Sequence, residues 1–362
     1  KSKEAIMNKN FFVLLRRLKP SNTVEEIERK YSNREYNRLS ALSNGKLTEE
    51  GYNVVNNWRL LHIEPLDVVA DFLKIISQSI YKDALISKRI KRIDSITPKI
   101  SKGYELTQIQ DIGGCRAILG SYEDILACIE KLKQSLNFSS VRVVDYIQEP
   151  KDSGYRSVHL ICTLAVQDRR YNGLKIEIQL RTTVQHTWAT ALEIVDLYTN
   201  QNLKGGIGDE VWKRFFKIFS SFQAIEEKLP TVKGTPSVYI QLLQEIFYLE
   251  ERLGVFVILQ GANFSGEIIE QEHVKYEYFI LQCRIDGVVI TSFDKEHYQS
   301  GLDSFLALEK YAKESGEVVA LVSAETYKKL KDAYPNYFYD TDKFVASLIS
   351  AKENYQVIYS GK

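Results

Sequence analysis

The chain has 362 residues, 44% of them hydrophobic and 26% charged, and a formal net charge of +1. That is enough chain for two domains of ordinary size, and the near-balanced charge excludes a uniformly basic coat for nucleic acid. No apolar run approaches the roughly 18 residues a membrane-spanning helix needs, so a soluble protein with no membrane partner is expected.

Four cysteines, Cys115, Cys128, Cys162 and Cys283, lie far apart in apolar runs without metal-ligand spacing. They read as buried free thiols in a reducing cytoplasm. Five histidines are too few for a histidine-rich metal centre, and the first residues show no signal-peptide layout.

Residues 22–82 are helical in pattern. Thr23-Val-Glu-Glu is a capping-box signature, Asn44-Gly45 suits a helix end, and Thr48 with Glu49 and Glu50 suits a new start. Pro65 fits a first helical position, after which Leu66, Val69, Leu73 and Ile76 form one apolar stripe. Residues 1–85 are therefore expected to be a helical region packing on a core that follows.

That core is expected over 86–230. Its first segment, ISKRIKRIDSITPKISK, crowds Arg89, Lys91, Arg92, Lys99 and Lys102 around Ser87 and Ser95. Such a segment is either a solvated basic helix end or a clamp for polyphosphate. Asp111 then precedes Gly113-Gly114 and an apolar strand interrupted by Arg116, an arrangement that brings backbone close to a neighbour. A helical pattern from Tyr122 to Leu136 leads to a strand over Val141–Ile147. Lys151, Tyr155, Arg156 and His159 follow around Gly154 at the mouth of another strand. An aromatic ring between cations at that place can stack a base and hold its phosphates, or simply pack.

Asn172-Gly173 predicts a hairpin turn into Lys175–Thr182, KIEIQLRT, the clearest alternation in the chain. Ile176, Ile178 and Leu180 point one way, and Glu177, Gln179 and Arg181 share the opposite face. A carboxylate and a guanidinium on one open face suit metal-bound phosphate, or an ordinary surface ion pair. The next helix, from Thr183, carries Val184, Trp188, Ala191 and Val195 as its core stripe, with His186 and Glu193 together on another face. An aromatic run through Trp212, Phe215, Phe219 and Phe222 ends at the break LPTVKGTP, which predicts a boundary.

Residues 235–362 read as a smaller α+β domain. The pattern predicts a helix over Val238–Arg252, a strand over Val255–Leu259 and a hairpin turning at Asp286-Gly287. A helix over Leu302–Lys313 stopping at Gly316, a strand over Val318–Val322 and two short helices complete it. The region is rich in tyrosine, notably AYPNYFYD at 333–340, and repeats no carboxylate–histidine grouping. A sensing or autoinhibitory role is expected, with a protein or small ligand as the signal.

Taken together and in this order, the basic segment, Asp-x-Gly-Gly-x-Arg, Gly-Tyr-Arg-Ser-Val-His and Glu-Ile-Gln-Leu-Arg-Thr resemble the synthetase domain of the RelA/SpoT family, over roughly residues 50–225. The resemblance implies a nucleotidyltransferase-like mixed β-sheet flanked by helices, α+β in class. It also implies Mg²⁺-dependent transfer of pyrophosphate from ATP to the 3′-hydroxyl of GDP or GTP. Arg89, Lys91, Ser95, Lys99, Lys102 and Arg116 then match the donor-phosphate side. Asp111 and Glu177 match the metal-binding carboxylates, with Glu177 also activating the hydroxyl. Lys151, Tyr155, Arg156, His159, Gln179, Arg181 and His186 match the acceptor side.

Departures from the family pattern narrow this expectation. No His-Asp dipeptide of the family's hydrolase domain occurs, so synthesis without degradation is expected. Small stand-alone members lack a tail like residues 235–362, and the wording of that tail resembles a single-synthetase subgroup with a C-terminal accessory domain. Some relatives of that architecture act as toxins or phage-defence effectors, on tRNA 3′ ends or on adenosine nucleotides. A tRNA acceptor would need a further basic surface, for which Lys9, Arg16, Arg17 and Lys19, or Lys204, Lys213, Arg214 and Lys217, are candidates. A third reading is a nucleotide-sensing or partner-binding protein without turnover. The pattern leaves the acceptor base and the oligomeric state open.

Overall fold

Alternating and helical patterns resolve into one mixed sheet covered by helices in the computed structural model, which describes residues 48–134, 138–168, 170–199, 201–263, 278–284, 287–294, 296–315, 318–323, 330, 333 and 341–360. In chain order the elements begin α1 (Glu49–Leu61), α2 (Ile63–Ile80), β1 (Leu85–Ile90), α3 (Ile93–Ser101), β2 (Gly113–Leu119), α4 (Tyr122–Lys133), β3 (Phe138–Asp145), β4 (Val158–Leu164) and β5 (Lys175–Thr182). They continue α5 (Thr183–Thr199), α6 (Glu210–Glu226), α7 (Tyr239–Leu253), α8 (Val255–Asn263), β6 (Tyr278–Arg284), β7 (Gly287–Phe293), α9 (Tyr298–Ser315), β8 (Val318–Ser323) and α10 (Asp342–Ser360).

The strands form an 8-stranded sheet in the order β3-β4-β5-β2-β1-β8-β6-β7. Only β2 and β5 run parallel, which makes the sheet mixed. β8 meets β1 at Arg89 opposite Val322, so the C-terminal strands continue the sheet past the basic strand.

Besides a smaller core between α9 and the strands β6, β7 and β8, two apolar cores sit on this frame. One buries Ile176, Ile178 and Leu180 of β5 with the α2 stripe of Leu66, Val69, Leu73 and Ile76, the faces that alternation and helical spacing predict. The other lies among α5, α6, α7, α8 and α10, where Phe215, Phe216, Phe219 and Phe222 are fully buried. Phe344 of α10 packs 4.5 Å from Phe219, ring centre to ring centre.

Several local expectations hold. Thr48 caps α1, its hydroxyl accepting from Gly51 N at 3.1 Å. Pro65 falls at the third residue of α2 rather than the expected first, still in the first turn, where its missing N–H costs nothing. Cys115, Cys128 and Cys162 are buried and free.

Others change. The predicted strand at Val255–Leu259 is part of helix α8. Gly254 in the left-handed conformation (φ 63°) ends α7 by donating to Glu250 O, and the chain re-enters a helix at once. Val255 and Leu259, four apart, are buried in the helical core, a spacing a short apolar run cannot distinguish from a strand. The basic segment 86–102 is a strand and a helix, β1 and α3. The last described stretch holds one long helix, α10, and Leu330 and Ala333 ahead of it are helical. The signals at Thr23, Asn44-Gly45, Asp286 and Gly316, the tyrosines of 334–340 and the basic residues Lys9 to Lys19 lie outside the described residues.

Candidate active site

Register across the sheet collects the predicted residues on its open face. Arg89 of β1 lies opposite Gly114 of β2, which lies opposite Glu177 of β5. In the next row Ser87, Arg116, Gln179 and His159 are neighbours across four strands. Because paired residues share a face, chain segments ninety residues apart by number along the sequence supply one polar surface.

Glu177 stands at the centre of a closed set of hydrogen bonds. His159 Nδ1 lies 3.0 Å from Glu177 Oε1, and Gln179 Nε2 donates to Glu177 Oε2 at 2.7 Å. His159 Nε2 lies 2.7 Å from the Tyr155 hydroxyl. Arg181 Nη2 donates both to that hydroxyl, at 2.8 Å, and to Gln179 Oε1, at 3.0 Å. A carboxylate only accepts, so His159 carries a proton on Nδ1 and donates it to Glu177. Tyr155 then donates to Nε2 while it accepts from Arg181. Two chains of donors thus run from one guanidinium to one carboxylate. Burial works against the charge on Glu177, but the His159 contact and the Gln179 amide hold its carboxyl below the usual range.

Asp111, just ahead of β2, is gripped by two lysines: Lys91 Nζ at 2.5 Å and Lys99 Nζ at 3.1 Å. Burial opposes its ionisation and the two ammonium groups outweigh burial, so its pKa is lowered. Burial also lowers the pKa of Lys91, against the pull of Asp111.

Beside Glu177, Lys151 Nζ sits 4.3 Å from the Tyr146 ring centre and 5.1 Å from that of Tyr155. The Arg181 guanidinium lies 5.2 Å from the Tyr155 ring centre. The Tyr155 ring thus lies between two cations, with the Tyr146 ring edge-on 6.1 Å away.

The remaining predicted residues lie across the site and its surroundings. Arg116 donates to Ala333 O, Ser95 is half-buried on α3, and Lys102 is exposed at its end. Arg156 is buried behind the strand mouth, its Nε donating to Ser220 Oγ of α6 at 2.9 Å. Its side chain is therefore not among the groups gathered around Glu177. His186 is buried on the first turns of α5.

Sequence reasoning left out Tyr146 and the ion pair of Glu193 with Lys204. That pair lines a cavity with Arg89, Arg116, Gln179 and Arg181. Burial resists the Glu193 charge, yet Lys204, Arg89 and Arg181 bring its pKa down to about 2. Its position seven residues after His186, on a face turned to the polar row, was the available signal. The basic surface suggested for α6 is compensated: Lys213 pairs with Glu210 at 2.5 Å, Arg214 with Glu245 at 2.5 Å and Lys217 with Asp152 at 2.5 Å.

Among the described residues no group of three or more His, Cys, Asp or Glu could hold a metal alone. Asp111 and Glu177 supply two carboxylates, which suits Mg²⁺. That ion takes one or two carboxylates and completes its shell with water and substrate phosphates.

Comparison with known proteins adds the following. The family described as "Region found in RelA / SpoT proteins" matches residues 88–202. GTP pyrophosphokinase YjbM of Bacillus subtilis (strain 168) is 30% identical over 156 residues, 41% of this chain and 71% of that protein. GTP pyrophosphokinase YwaC of the same organism is 37% identical over 131 residues, 34% of this chain. The match spans 62% of YwaC, under two thirds of its length. Among solved structures, small alarmone synthetase 2 from Bacillus subtilis is 29% identical with a TM-score of 0.42, covering 48% of this chain and 94% of that one.

Proposed function

The chain belongs to the RelA/SpoT family, and on that premise we propose that it transfers pyrophosphate from ATP to the 3′-hydroxyl of a guanosine nucleotide. In this reading the acceptor oxygen forms a bond to the β-phosphorus of ATP, the bond from that phosphorus to the α-phosphate oxygen breaks, and AMP leaves. The hydroxyl proton passes to the Glu177 carboxylate. The observation that carries the reading is the ionised Glu177 inside its hydrogen-bonded ring, beside the Tyr155–Tyr146 platform.

Such transfer asks the protein for placement and charge more than for covalent chemistry. Lys91 and Lys99, now on Asp111, are placed to exchange that carboxylate for donor phosphate oxygens. Arg89 and Arg116 flank the cavity where the rest of the donor fits. Lys151 and Arg181 bracket the ring on which an acceptor base stacks. Mg²⁺ held by Asp111 and Glu177 would neutralise charge growing on the phosphate oxygens.

The test offers purified protein γ-labelled ATP and Mg²⁺, with GDP, GTP, ADP, ATP or deacylated tRNA in separate reactions. Label is expected on a guanosine nucleotide, and Glu177→Gln should reduce transfer at least about a hundredfold with the fold retained. Label on tRNA or on an adenosine nucleotide would keep the chemistry and replace the acceptor. No transfer to any of them would overturn the reading.

A further inference from the structure

Arg59 of α1 is the largest fully buried side chain among the described residues, and nothing in the transfer chemistry requires it. Its guanidinium makes a two-pronged pair with Glu309 of α9, Nη1 to Oε2 at 2.7 Å and Nη2 to Oε1 at 2.9 Å. Nη1 also donates to Asn56 Oδ1 at 2.7 Å, and the group lies 5.7 Å from the centre of the Phe305 ring. A further donor, Nε, goes to the backbone oxygen of Lys91 at 2.8 Å. Lys91 is the residue whose ammonium reaches Asp111.

The Lys91 peptide is thereby fixed at both ends. Its N–H donates to Ile112 O at 2.8 Å, next to Asp111, and its carbonyl is held by Arg59. Lys91 and Arg92 are the two residues that connect the end of β1 to the start of α3. A planar guanidinium holding a carboxylate with two bonds has one orientation left, so Glu309 fixes where Nε points.

The same C-terminal unit reaches the basic strand at two more places. Val322 of β8 lies opposite Arg89, and the Tyr278 ring of β6 lies 5.3 Å from Lys88 Nζ. These contacts of Glu309, Val322 and Tyr278 fall on α1, Lys91 and β1, the side of the site that carries Arg89 and Lys91.

We propose that Glu309, acting through Arg59, is a positioning residue for the donor phosphates: it sets the Lys91 backbone and so the aim of the Lys91 ammonium. This rests on the transferase reading above. It makes the C-terminal unit a part of the donor site in this chain, by a contact that a synthetase without residues 278–323 lacks.

The test uses the full chain and measures steady-state transfer together with binding of a methylene-bridged ATP analogue. Glu309→Gln keeps size and loses the charge. It should raise KM for ATP and weaken analogue binding about tenfold, as loss of an orienting partner does, and leave KM for the acceptor within twofold. A purely structural role would move both KM values or neither. Because a buried unpaired arginine can cost the fold, the double variant Arg59→Met with Glu309→Leu is made alongside. It removes the charge pair and the Lys91 contact at once and should show the same donor-only defect. Wild-type donor affinity in a folded Glu309→Gln or double variant overturns the inference. Wild-type protein that neither binds the analogue nor transfers label points instead to failure of the transferase reading.

Discussion

Glu177 is a half-buried carboxylate whose pKa is held down, against desolvation, by His159 and the Gln179 amide. The register of β4 against β5, which sets His159 beside Gln179, brings the histidine within 3.0 Å of it. Removing one donor leaves desolvation less opposed, so His159→Ala should raise the Glu177 pKa. In the proposed transfer the carboxylate acts in its charged form, as base and as metal ligand. The acid limb of the kcat/KM profile should therefore move to higher pH in the variant, with activity at neutral pH about 10–100-fold lower. A pH series on both proteins decides it; an unmoved acid limb would mean that His159 serves the acceptor alone. The face shared by Glu177, Gln179 and Arg181 was legible in the alternation of one strand. The His159 bond was not, because it depends on how a separate strand is registered. Arg156, adjacent to Tyr155 in sequence, shows the converse: one residue of offset turned its side chain to α6.

At the scale of elements, the glycine pair opening β2 performs two different tasks. A methyl on Gly113 would lie 2.9 Å from Ile176 Cδ1 and 3.3 Å from His62 Cβ, inside the packing of β2 against β5 and α2. A methyl on Gly114 would meet only Glu177 O, at 3.9 Å, on the face that lines the site cavity. Gly113→Ala should accordingly destabilise the fold by about 1–3 kcal/mol, an overpacking cost. Gly114→Ala should stay within about 1 kcal/mol of wild type and instead raise KM for ATP. Urea unfolding and steady-state kinetics on the two variants separate the tasks, and equal stability losses would refute the division. The sequence announced a close backbone approach here without saying which glycine faced the core. For α8 it announced only an apolar run, and burial among helices, a property of the assembled molecule, chose helix over strand.

Considered whole, the molecule places its C-terminal residues where two different outcomes of removing them can be weighed. Reading 235–362 as a regulatory addition predicts a faster enzyme once it is cut away. The packing argues the other way on three counts. Leu242, Leu243, Ile246, Phe344 and Leu348 cover the aromatic face of α6, so the cut would expose Phe215, Phe216, Phe219 and Phe222 together. Each such ring contributes about 1.5–3 kcal/mol by burial, and the exposed group would form an apolar patch prone to association. β1, which carries Arg89, would lose its β8 neighbour and become a sheet edge. Arg59 would lose both its two-pronged pair with Glu309 and the Phe305 ring beside it, leaving its guanidinium without the contacts that orient it. Marginal folds do not absorb such a sum. A chain ending at residue 234 should therefore be insoluble or melt well below the full protein, with any soluble fraction weak in ATP binding and not faster in turnover. Differential scanning fluorimetry and initial rates on the truncated chain check this. A stable, soluble and more active fragment would show that relief from the C-terminal unit outweighs the contacts it makes.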